Sequence, residues 1–124
     1  RDRYDIISPC ALGGTINRNS LKNINCNIIA GAANNQLEND TDVPEELLKK
    51  NILYIPDFLI NAGGIISVYH EQINDIDSKK VMDMTGLIYD KVSSVIKYSE
   101  ENSISTNSSA IQLAKDRIKE NSKK

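Results

Sequence analysis

Three short apolar runs, each closed abruptly and separated from the next by a helical segment, constrain this chain more than any other feature. They are "YDII" at residues 4–7, "CNIIA" at 26–30 and "ILYI" at 52–55. Each has the length of a strand. Each is mainly apolar, interrupted only by Asp5 and Asn27, the pattern of strands in a parallel sheet covered on both faces. Pro9 and Pro56 stop the first and third runs, because proline cannot donate to a ladder. Between the runs, "NSLKNI" suits a short helix or turn and "VPEELLKKN" a longer helix. Asp42 is the candidate N-cap of that longer helix, with Pro44 in its first turn and Glu45 and Glu46 near its positive end. "NAGGIISVYHEQI" reads as a further helix despite its glycines. The β–α–β–α–β order predicts an α/β fold, one half of a doubly wound parallel sheet.

The last third changes character. Val81, Met84, Ile88, Val92 and Val95 recur every three or four residues and form one stripe on a long helix from about Ser78 to Tyr98. "ENSISTNSS" breaks it. A second helix follows, capped near Asn107 or Ser108, with Ala110, Leu113, Ala114 and Ile118 inward. The chain therefore divides into residues 1–77, an α/β unit, and residues 78–124, a pair of helices packing on it.

Composition excludes several classes of function. A net charge of −2, with no basic patch outside the tail from Lys119 to Lys124, argues against a nucleic-acid partner. No apolar run is long enough to cross a membrane. Cys10 and Cys26 have no second thiol or histidine at metal-ligand spacing, so no metal site is expected, and a reducing, cytoplasmic setting is. The chain opens on Arg1 and runs at once into "YDII", which reads as a fragment whose natural start lies upstream.

Ligands of open α/β sheets bind beyond the carboxyl ends of the strands. The three strands here end in "SPCALGG", "AGAANNQ" and "PDFLINAGG". Small residues allow a backbone or a flat ligand to approach. The carboxamides of Asn34, Asn35 and Gln36 donate and accept hydrogen bonds without charge. They suit an amide ligand or a carboxylate, and they also suit a polar turn. Three such exits in register describe a shallow surface for a flat ligand. Neither G-x-G-x-x-G nor G-x-x-x-x-G-K-[ST] is present, so the phosphate-cradling half of a nucleotide site is absent and the remainder suits the far half, at the base or nicotinamide end. Taken singly, Cys10 reads as a small buried apolar residue, Asn61 as a helix N-cap, and Ile65 and Val68 as core. His70 reads as a surface or satisfied histidine, and Asp57 and Glu71 as structural.

"DIISPCALGGTIN", "NIIAGAANNQL" and "ILYIPDFLINAGGIISV" closely resemble the amino-acid dehydrogenases of the leucine, phenylalanine and valine group, leucine dehydrogenase above all. The resemblance runs from about Tyr4 to Glu71 and continues more weakly through "IYDKVSSVI" and "AKDRI". It implies a C-terminal fragment: the second half of a Rossmann-type NAD-binding domain, followed by helices that pack on it and on the interdomain hinge. The glycine-rich fingerprint and the catalytic lysines and aspartate would lie upstream, leaving no catalytic residue here. The resemblance implies that Cys10, Ala11 and Leu12 pass beside the cofactor's ribose and pyrophosphate. Ala32 and Ala33 admit the nicotinamide ring, and Asn34 lies at its end near the substrate carboxylate. Asn61 faces the cleft, and Ile65 and Val68 line the pocket for the substrate side chain. The implied reaction is reversible, NAD-dependent deamination of a branched-chain L-amino acid, leucine, to its 2-oxo acid and ammonia. The implied enzyme is a homo-oligomer assembled through the upstream domain. A phenylalanine or valine dehydrogenase is the alternative enzyme, and a non-catalytic nucleotide-binding or assembly module the alternative class.

Overall fold

The computed structural model describes residues 2–122. Strands β1 (Tyr4–Ile7), β2 (Cys26–Ile29) and β3 (Leu53–Tyr54) form a parallel sheet in the order β1-β2-β3. Tyr4 pairs with Cys26, Ile6 with Ile28, and Ile28 with Leu53. Parallel strands need crossovers. The first contains α1 (Arg18–Leu21), capped by Asn17, and the second contains α2 (Asp42–Lys49). Leu21, Ile29, Val43, Leu47 and Tyr54 form the buried core between the sheet and these crossovers, joined by Ile16, Cys26 and Ile52.

Only one face of the sheet is fully covered in this chain. Ile7, Ile29 and Tyr54 alternate onto the core face. Tyr4 and Ile6, on the other face, are each more than half exposed. The expectation of cover on both faces fails at β1, the first strand of the sheet. The α2 cap also differs from expectation. Thr41 holds the N-cap position without a capping bond from its side chain, and Oδ1 of Asn39 accepts from the N–H groups of Thr41, Asp42 and Val43. Asp42 is thereby freed to pair with Arg18 at 3.0 Å.

Beyond β3 the helix expected over "NAGGIISVYHEQI" is α4 (Gly63–Gln72), and an unexpected short helix, α3 (Asp57–Ile60), precedes it, separated from it by Asn61 and Ala62. Helix α5 runs Ser78–Asn102, about one turn beyond the end expected at Tyr98. Ser103 ends it in the left-handed region, at φ 53°. Helix α6 (Thr106–Asn121) is capped by Ser105, not by Asn107 or Ser108. Ala110 is buried as expected, whereas Ala114 and Ile118 are exposed. They line an open groove with Phe58 and Leu87. His70 is buried and satisfied. Its ring nitrogens lie 3.2 Å from the Asp75 carbonyl oxygen and 3.1 Å from Met84 Sδ.

Candidate active site at the strand exits

The first two exits are stitched together by their backbones. Ala30 N–H donates to Ile7 O, Ala33 N–H to Pro9 O, and Gly14 N–H to Asn35 O. Gly31 is required here. A Cβ on it would lie 2.1 Å from Pro9 O and 2.5 Å from Pro9 N. The small residues of "AGAA" therefore make room first for the protein's own chain. Ala33 is buried against that contact, while Ala32 stays exposed.

Asn34 and Asn61, 27 residues apart, meet across the second and third exits. Nδ2 of Asn61 donates to Asn34 Oδ1 at 2.6 Å and to the Ala32 carbonyl oxygen at 3.3 Å. The carbonyl fixes both amides. It can only accept, so the Asn61 atom facing it is the amino nitrogen, and the Asn34 atom facing that nitrogen is the oxygen. Asn34's own amino group has no partner among the described residues. The pair is thus a donor site, not a site that donates and accepts equally.

Two buried residues support it. Gln36 is wholly buried, and its Nε2 donates to Gly31 O at 2.7 Å and Ala33 O at 2.9 Å. Its backbone N–H donates to Asp57 Oδ2 at 2.8 Å. Asp57 Oδ1 accepts from Phe58 N–H at 2.6 Å, and Asp57 N–H donates to the Tyr54 hydroxyl at 3.3 Å. Burial, reinforced by the Asp57 charge, pushes the Tyr54 phenol well above its ordinary range. Sequence reasoning treated Asp57 as structural and gave Gln36 no separate role. The available signal was position: each sits at a strand exit, beside the asparagines.

Cys10, Ala11 and Leu12 are exposed. They line a shallow, largely apolar depression of about 300 Å³ with Ile7, Pro9 and Ile16. The Cys10 thiol is held below its usual range by the Ala32 N–H and then by the Ser8 hydroxyl, 3.3 Å away. Burial pushes the Cys26 thiol up instead. Ile65 and Val68 stand three apart on α4, and both are largely exposed, Ile65 at 72%. They are not core residues of this chain. Glu71 is exposed on the same helix, bonded to Ser67, and nothing brings it to Asp57.

Residues 2–124 match the family model for glutamate/leucine/phenylalanine/valine dehydrogenase. The chain belongs to this dehydrogenase family. It is 47% identical over 114 residues to L-tryptophan dehydrogenase of Nostoc punctiforme, covering 92% of this chain and 32% of that one. It is 39% identical over 116 residues to leucine dehydrogenase of Bacillus cereus, covering 92% and 31%. The crystal structure of the Nostoc punctiforme L-tryptophan dehydrogenase superposes with a TM-score of 0.89 at 46% identity, covering 94% of this chain and 35% of that one. The chain thus spans about a third of the length of the curated relatives it matches. Its three-stranded parallel sheet with flanking helices is the Rossmann-like arrangement of that structural neighbour. No described helix is long and apolar enough to cross a membrane, and no described cluster of His, Cys, Asp or Glu is suited to a metal.

Proposed function

We propose that the chain is the C-terminal part of an NAD-dependent dehydrogenase that reversibly deaminates an apolar L-amino acid, leucine foremost, to its 2-oxo acid and ammonia. The observation that carries this reading is the Asn34–Asn61 pair, with its spare amino group at the strand exits. The residues present fit a nicotinamide. Asn34 offers a neutral donor to a ring carboxamide or a substrate carboxylate. Ala32 presents a small exposed surface. Cys10, Ala11 and Leu12 offer an apolar wall to the adjoining part of the cofactor. Ile65 and Val68, four and seven residues beyond Asn61, present apolar surface for the substrate side chain. The cofactor, when bound, accepts the hydride, and the chain's own residues supply position and electrostatics.

On this reading residues 1–77 are half of the cofactor domain, residues 78–124 are helices that pack on it and on the hinge, and the catalytic lysines lie upstream. Lys22, Lys49 and Lys50 are exposed, unlike the desolvated amines that work as bases near neutral pH. The 124-residue chain with L-leucine and NAD should therefore form no NADH above buffer, whereas the full-length enzyme should. Turnover by the short chain would overturn the division of labour. No turnover by the full-length enzyme with any L-amino acid would overturn the function. An indole-bearing substrate is the second reading, favoured by the 47% identity to L-tryptophan dehydrogenase. The ranking of kcat/KM for leucine, phenylalanine, valine and tryptophan separates the two.

A further inference from the structure

We propose that Asp57, acting with Gln36, is a positioning residue for the Asn34–Asn61 pair, an inference that rests on the proposed function for the ligand the pair reads. One buried carboxylate spans both limbs of the site. Its Oδ2 accepts from Gln36 N–H, two residues beyond Asn34. Its Oδ1 accepts from Phe58 N–H at the start of α3, whose C-cap is Asn61. Gln36 then fastens residues 31–36 from within through Gly31 O and Ala33 O. Asn35 lies at φ 53° between Asn34 and Gln36, in the left-handed region that asparagine tolerates better than most residues. Asn34 therefore sits on a loop closed by one buried side chain and bolted to α3 by another.

Only a group with two acceptors can do this. Asparagine at 57 has one carbonyl oxygen and one amino group, so one of the two N–H groups would face another donor. Two donors set face to face lose the bond and move apart, and a small misplacement of a ligand-reading group costs large rate factors. Asp57 needs no contact with substrate for this effect.

The test begins with the 124-residue chain and needs no activity. In the wild type, the side-chain amide of Asn61 should exchange with solvent more slowly than that of exposed Asn19, and its hydrogens should show a nuclear Overhauser contact to the Ala32–Asn34 segment. Asp57→Asn should raise the Asn61 exchange rate about tenfold and abolish the contact, on the scale of one charge-assisted hydrogen bond lost. Asp83→Asn, on an exposed part of α5, should change neither. Native exchange and an intact contact in Asp57→Asn would overturn the proposal. If that variant does not fold, Asp57→Glu, which keeps two acceptor oxygens but displaces them by one methylene, supplies the same readout: lost protection supports the proposal, and native exchange overturns it.

In the full-length enzyme, Asp57→Asn should lower kcat/KM by roughly ten- to a hundredfold. In an Asn34→Ala background it should cost no more than about twofold, because one residue acts through the other. Losses that multiply would show an independent structural role and overturn the proposal. An inactive wild-type enzyme would overturn the proposed function instead, and the amide exchange would still judge Asp57.

Discussion

The exits of β1 and β2 lie side by side and share backbone bonds, but only the second is also fixed by side chains. Residues 31–36 are fixed by side chains: buried Gln36 closes the loop, buried Asp57 ties it to α3, and the Asn61 amide at the surface donates to Asn34. Residues 10–12 present exposed side chains, and their neighbours are held by backbone bonds through Pro9 and Gly14. The difference follows what each exit is proposed to read. A carboxamide or carboxylate is recognised by the direction of a hydrogen bond, which fails when the donor turns. An apolar wall is recognised by contact, which tolerates movement.

The seam between the two exits should be the most fragile point. Gly31→Ala drives a Cβ into Pro9 backbone atoms that cannot rotate away. The cost should be about 3 kcal/mol or more, a fall in Tm of roughly 10 °C, seen by calorimetry. A stable Gly31→Ala would mean the seam is loose and the contrast mistaken. The open side of β1 should matter too. A strand edge without a partner invites pairing with another chain, so thermal unfolding of the 124-residue chain should depend on concentration. Concentration-independent, cooperative unfolding of a monomer would count against an exposed edge.

The apolar wall on α4 sharpens the comparison from outside. Ile65 and Val68 are exposed, so truncating either should leave stability within about 0.5 kcal/mol. In the full-length enzyme Val68→Ala should raise the ratio of kcat/KM for phenylalanine over leucine by about tenfold, because one methylene in such a pocket contributes about 1–3 kcal/mol of discrimination. Ile65→Ala should shift it in the same direction. An unchanged ratio in both would remove the basis for a side-chain pocket here. The smallest effect concerns the thiols. The lowered Cys10 thiol is exposed and forms thiolate at a lower pH than an ordinary cysteine, whereas the Cys26 thiol is buried and raised. Iodoacetamide at neutral pH should label Cys10 and spare Cys26 until the protein unfolds, and mass spectrometry would detect the reverse.

The strands were legible because Pro9 and Pro56 end two of them and the runs between are too apolar for loops. Asn34 and Asn61 were singled out separately, each from its own strand exit. Their bond was not legible, because it depends on β2 and β3 being neighbours and on Asn61 capping α3. Asp57 was passed over for the same reason: its partner Gln36 is 21 positions away. Local rules also misjudged detail. Asp42 has the chemistry of a cap, yet the helix begins one residue earlier and Asn39 takes the N–H groups of Thr41, Asp42 and Val43. Ala114 and Ile118 continue the apolar stripe of α6 but face an open groove shared with Leu87 of α5 and Phe58, so periodicity alone overstated their burial.

On the proposed function Asn34 acts as a fixed donor, its oxygen occupied by Asn61 and its amino group without a partner among the described residues. Asn34→Asp in the full-length enzyme tests it most directly. A carboxylate can still accept from Asn61 Nδ2, so the fold and Tm should stay near wild type. The donor is lost, and a negative charge faces whatever anion or carbonyl the site holds. A hydrogen bond to a charged partner contributes about 1.5–3 kcal/mol, so kcat/KM should fall by at least about tenfold and by as much as a few hundredfold. Near-normal kinetics in a folded Asn34→Asp enzyme would contradict the account and return this loop to the role of a polar turn.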